Sequence, residues 1–146
     1  MRRNRRGASA IEFALLLVPI TLILGGIIEF GWLFLQSNTL LMAARTGARS
    51  GAAMSETGTT TPGTAADDAA RATLTMLNMD PAVVTIDACV TSITVGSVTQ
   101  RAVVVTLSRP YNPLTGLLGG RLVGVDLTES AVMLLEQEGP LGTDNC

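Results

Sequence analysis

Residues 13–35 (FALLLVPITLILGGIIEFGWLFL) form one apolar run of 23 residues with a single charge, Glu29. As a helix the run would be about 35 Å long at about 1.5 Å per residue, against a hydrocarbon core of about 30 Å. It is therefore expected to span a bilayer with some tilt. Arg2, Arg3, Arg5 and Arg6 precede it, and the first basic residue after it is Arg45. Cytoplasmic flanks attract positive charge, so the short N-terminus is expected in the cytoplasm and the remaining ~110 residues on the other side. Two other kinds of segment share part of this pattern. A cleaved secretory signal has an apolar core of about 7–15 residues followed by small residues; this run is longer, and bulky Trp32, Phe34 and Leu35 stand at its exit. A plain uncleaved anchor fits the length but gives no reason for Glu12 at the cytoplasmic entrance.

Composition narrows the function by exclusion. The chain has no His and no Lys, all ten basic residues being Arg. That removes His-based triads, His-ligated zinc, a phosphate-loop lysine and Schiff-base chemistry, and two Cys cannot build a four-Cys zinc site. Beyond residue 7 there are six Arg against twelve acids, a net of −6. A nucleic-acid binder would carry a basic face on its folded part, so no nucleic-acid partner is expected.

Around the entrance the chain reads Arg5-Arg6-Gly7-Ala8-Ser9-Ala10-Ile11-Glu12-Phe13. A basic leader, a Gly, four small or apolar residues, then Glu and Phe opening an apolar helix resemble the type IV prepilin processing site. Further on, Glu12-Phe13-Ala14, Pro19, Gly26-Ile27-Ile28-Glu29-Phe30-Gly31 and Ala43-Ala44-Arg45-Thr46-Gly47-Ala48-Arg49 resemble the TadE-like pseudopilins of bacterial tight-adherence (Tad or Flp) pili. The likeness covers residues 7–51. Pro110-Tyr111-Asn112-Pro113 after a strand is similar too, and the neutral Thr46 departs from the acid common in that family.

The resemblance implies a structural minor pseudopilin, not an enzyme, with no cofactor and no metal. It implies cleavage between Gly7 and Ala8 by a prepilin peptidase, leaving Glu12 as the fifth residue of the mature chain. Glu12, with Phe13, would set register by pairing its carboxylate with the new N-terminal amine. The implied partners are other pilins and pseudopilins, the inner-membrane pilus platform and the lipid bilayer. The implied location is the bacterial inner membrane as a single-pass protein, and also the assembled pilus.

Physical readings stand beside these. Beside that role, Glu12 reads as an interfacial acid near the positive end of its helix dipole, stabilised by about 0.3–1 kcal/mol. Glu29 would cost about 2.5–3.5 kcal/mol at mid-membrane. Either it lies at the far interface beside Trp32, or it joins a helix–helix contact that Gly25, Gly26 and Gly31 allow. Pro19 removes one backbone donor and is expected to kink or loosen the helix.

The helix should continue to about residue 50 as a stalk, with Arg45 and Arg49 sharing a face; a solvated basic face, headgroup contact and acids on a neighbour all fit. The leader is assigned to 1–7, the membrane and stalk helix to 8–53, a linker to 54–63 and an extracytoplasmic pilin-like domain to 64–146. In that domain Thr64-Ala65-Ala66-Asp67 resembles a capping box, with Asp67 and Asp68 in the first turn of a second helix ending near Leu77. Period-two alternation gives strands over 83–90, with Val84, Ile86, Ala88 and Val90 on one face, over 101–108, with Val103, Val105 and Leu107 on one face, and over 122–135, where the length predicts a break and Glu129 interrupts the apolar face. The expected class is α+β: a long N-terminal helix, a second helix and an antiparallel sheet of about three strands. Cys89 and the terminal Cys146 lie on the side where disulfides persist, so a bridge between them is expected, with free thiols or an intermolecular bond as alternatives.

Three functions compete: the processed pseudopilin of a Tad-type pilus, used in assembly and surface adhesion; an uncleaved single-pass anchored periplasmic assembly or binding protein; and a membrane-tethered enzyme, which the composition disfavours.

Overall fold

The computed structural model describes residues 5–54, 60–116, 124–135 and 146. The elements in chain order are helix α1 (Arg5–Ala53), helix α2 (Pro62–Met76), a 3-10 turn (Pro81–Val83), and strands β1 (Thr85–Val95), β2 (Val98–Pro110) and β3 (Asp126–Leu134). The class is α+β, as the sequence led us to expect. The chain divides into two compact units, one of residues 1–34 and 111–125, the other of residues 35–110 and 126–146.

In the first unit α1 is apolar on every side. Ile11, Phe13, Leu15, Leu16, Ile20, Leu22, Ile23 and Ile27 are all more than half exposed. A helix apolar all round needs a non-aqueous neighbour, and this one has a stretch of mean hydropathy 2.4. It fits a single-pass membrane anchor. The helix runs through Pro19 without interruption. Nearby, the Thr21 hydroxyl donates to the carbonyls of Leu17 and Val18, both at 2.9 Å.

In the second unit three antiparallel strands lie in the order β1-β2-β3. Val90, Val103 and Met133 share one row, as do Ala88, Val105 and Ala131, and Ile86, Leu107 and Glu129. This face carries the core: Leu40, Ala43, Ala44 and Ala48 of α1 and Ala66 and Leu74 of α2 pack with Val84, Val90, Val103, Val105 and Leu107. The alternation read from the sequence thus names the inward face correctly. Glu129, the one acid on it, accepts a hydrogen bond from the Ser37 hydroxyl of α1.

Two local features depart from the expectation. Helix α2 is capped by Thr61, not Thr64: the Thr61 hydroxyl accepts from the Thr64 N–H at 3.2 Å, and the Thr64 hydroxyl accepts from the Thr61 N–H at 2.9 Å. Pro62 fits N1, where no donor is needed, so the helix starts earlier and Asp67 sits past the first turn, paired with Arg71 at 2.7 Å. At the other end Asn78, at φ 59°, closes a Schellman arrangement, with Met79 N–H donating to Leu74 O at 2.9 Å. Second, β1 and β2 run longer than their apolar alternation, meeting in a two-residue hairpin at Gly96 and Ser97. Gly96 takes φ 66°, which suits a primed hairpin turn. Within the 122–135 stretch, where the length predicts a break, Gly124 takes φ 85° and β3 begins at Asp126.

Candidate functional site

A carboxylate in an apolar helix must be neutralised, paired or saturated with hydrogen bonds, because leaving it bare in a low-dielectric medium is costly. Glu29 is 1 % exposed, and the segment following β2 saturates it. Its Oε1 accepts from the Tyr111 hydroxyl at 2.5 Å and from the Leu114 N–H at 3.0 Å. Its Oε2 accepts from the Thr115 N–H at 2.9 Å and from the Thr115 hydroxyl at 2.5 Å. Four donors meet about four lone-pair sites. One turn further on, Trp32 donates its Nε1–H to the Asn112 carbonyl at 3.1 Å. Residues 111–115 thus clasp the helix at Glu29 and Trp32.

Local sequence explains why this segment can clasp. Pro113 restricts Asn112 to extended conformations, and Gly116 at φ 69° turns the chain just after Thr115. Two successive amides, those of Leu114 and Thr115, are left to converge on one anion, in the manner of a backbone nest. Tyr111 is itself held by its N–H donating to the Val125 carbonyl at 2.9 Å. The site suits structure rather than acid–base chemistry: its carboxylate has no free lone pair and almost no exposure, so it cannot take a proton from a substrate without dismantling the clasp.

The Tyr111 phenol is pushed up from its ordinary 10.0 to about 12 by burial first, then by its bond to Glu29 and that group's charge. Its pKa in the folded chain exceeds that in the unfolded chain, so folding holds the proton more tightly. The resulting stabilisation is intact below pH ~10 and is lost as the pH rises through about 12. Tyr111 is the single tyrosine, so tyrosinate absorbance reports it alone. The expected titration midpoint is about 12, moving down in Glu29→Gln, which removes the charge. A wild-type midpoint near 10 would mean that the phenol lies in water and the clasp is open.

The other residues singled out by sequence are placed as follows. Gly7 and Ala8 fall in the first turns of α1, and Glu12 and Phe13 lie on it exposed. Gly26 and Gly31 have nothing within 4 Å of where a Cβ would sit. Cys89 and Cys146 are joined in a disulfide with their Cα atoms 5.2 Å apart. Leu114 is exposed beyond its bonded N–H, while residues 117–123 lie outside the described residues. Among the described residues no group of His, Cys, Asp or Glu could hold a metal ion. The sequence pointed to Glu29 and, separately, to Pro110-Tyr111-Asn112-Pro113, but not to their meeting or to Thr115. The available signal was that the run's one charge requires donors, and this chain's sole tyrosine lies in a proline-bounded turn.

Among the described residues these features define one long apolar N-terminal helix, an α+β unit and an internal clasp on the helix. The N-terminal helix is TadE-like: the family model described as TadE-like protein matches residues 7–49. No curated protein and no solved structure matches the chain.

Proposed function

We propose that the protein is a structural minor pseudopilin of a bacterial Tad-type pilus, needed for pilus assembly and surface adhesion. The observation that carries this reading is the TadE-like match over residues 7–49, which starts at the Gly of the basic leader and takes in Glu12 and the apolar helix. In this reading a prepilin peptidase cuts between Gly7 and Ala8 at the cytoplasmic face of the inner membrane. Glu12 then becomes the partner of the new amine, and a misplaced subunit would leave that charge unpaired in hydrocarbon, which favours one register. The bare flanks of Gly26 and Gly31 leave room for a neighbouring helix to approach closely. The C-terminal unit would lie outside the cytoplasm, where its disulfide persists. The protein itself does no chemistry in this scheme, and assembly would be driven by an ATPase elsewhere in the machinery.

The test is the intact mass and first residue of the protein from native membranes. A chain starting at Ala8 is expected, and Gly7→Ala is expected to leave the leader in place and abolish incorporation into pili. A chain starting at Met1 would instead make it an uncleaved, membrane-anchored assembly or binding protein.

A further inference from the structure

We propose that the open edge of β3, beside Arg45 and Arg49 of α1, receives an extended, acidic segment of another polypeptide as a fourth strand. Among the described residues β3 is an edge strand, paired only with β2. Its register and the Leu135 N–H to Arg101 O bond of 2.8 Å show which backbone groups remain unpaired. In an antiparallel ladder both groups of a residue point the same way and alternate along the strand. Glu129, Ala131 and Met133 therefore face β2, whereas Ser130, Val132 and Leu134 turn their N–H and C=O outward. All three are exposed, Val132 and Leu134 by about half. Long apolar edges are usually blunted by charge, proline or a bulge, and Ser130 to Leu134 has none of these.

This edge borders a groove of about 490 Å³ between β3 and the stalk, lined by Leu41, Arg45, Thr46 and Arg49 opposite residues 130–133. Arg45 and Arg49 are exposed, and among the described residues neither forms an ion pair. A strand laid on the edge would gain main-chain hydrogen bonds from β3, while its stalk-side positions would meet two guanidinium groups. Carboxylates at those positions complement the site.

Lipid headgroups offer anions too, but Arg45 lies ten residues beyond Leu35, about 15 Å along the helix. The headgroup layer is only about 5–7 Å deep. A second copy is the poorer occupant: the stalk-side row of its other edge strand, β1, is Ile86, Ala88 and Val90, without an acid.

The experiment uses the full chain in phosphatidylcholine nanodiscs, with a labelled nine-residue peptide alternating valine and glutamate and its valine–lysine counterpart. The glutamate peptide is expected to bind and to slow amide exchange at Val132 and Leu134. Binding should weaken about tenfold or more in Arg45→Glu/Arg49→Glu, as for a close charge pair at an interface. It should also weaken in Val132→Pro, which removes one outward donor and leaves the ladder to β2 intact. Equal binding of the lysine peptide to the wild-type chain would overturn the proposal, and that comparison needs no variant to fold. So would unchanged binding to the double-arginine variant, the same protection from phosphatidylglycerol nanodiscs without peptide, or protection that depends only on the concentration of the chain itself.

Discussion

Gly51→Ala is expected to destabilise the second unit by up to about 2 kcal/mol, the overpacking cost less the helix propensity that alanine gains. Helix propensity alone favours alanine over glycine by about 1 kcal/mol. Against this, a Cβ at Gly51 would stand 2.6 Å from the Pro62 carbonyl oxygen, 3.0 Å from the Ala66 Cβ and 3.1 Å from a Val103 methyl. The nearest of these is backbone, which cannot swing aside as a side chain can, and the other two belong to α2 and to the central strand. Relief requires α2 to move away from α1 and the sheet, and overpacking of this kind costs about 1–3 kcal/mol. Gly47, where a Cβ would lie 2.7 Å from the Ala66 carbonyl oxygen, should behave similarly. Urea unfolding of the full chain in detergent, followed by circular dichroism, measures the effect. A midpoint that rises on Gly51→Ala would show that propensity wins and that the two helices are not in close contact.

Opening the Cys89–Cys146 bridge is expected to cost about 2–4 kcal/mol. The bond joins positions 57 residues apart, so reduction returns much chain entropy to the unfolded state. The folded unit has little in reserve to offset that. Its core is aliphatic and rich in alanine, with Ala43, Ala44, Ala48, Ala66 and Ala70 fully buried, and each alanine contributes little apolar area. Cys89 pairs with Val104 on the face of the sheet away from the core row, so the bond ties residue 146 to the sheet without filling the core. Cys89→Ser, Cys146→Ser and the reduced wild-type chain should therefore lose similar amounts of stability, read as equal shifts of the urea midpoint. Equal midpoints with and without reductant would mean that the bridge contributes nothing to this unit.

The sequence by itself determined what one-dimensional periodicity and charge encode. The apolar run of 13–35 declared a membrane-competent helix by length. Alternation at Val103, Val105 and Leu107 declared which face of β2 is buried, and two cysteines allowed only one intramolecular bridge. The TadE-like character was legible for the same reason: Gly7, Glu12, Glu29 and the small residues of 43–49 lie on one uninterrupted stretch of chain. Where the elements begin and end was less legible, because Thr61 and Thr64 carry the same hydroxyl and only backbone geometry assigns the cap. Gly47 and Gly51 read as ordinary small residues of a stalk until α2 came to lie against them.

Only the tertiary structure decided the role of Glu29. The acid and its partners Tyr111 and Thr115 are 82 and 86 residues apart, and no local pattern records a contact at that distance. The charge announced only that it must be satisfied; long-range chain packing selected the donors. The same holds for Glu129 and Ser37, an apparent interruption of a strand that a hydroxyl on another element completes. Burial makes a polar group's partner obligatory, but which partner it finds depends on how distant segments are brought together.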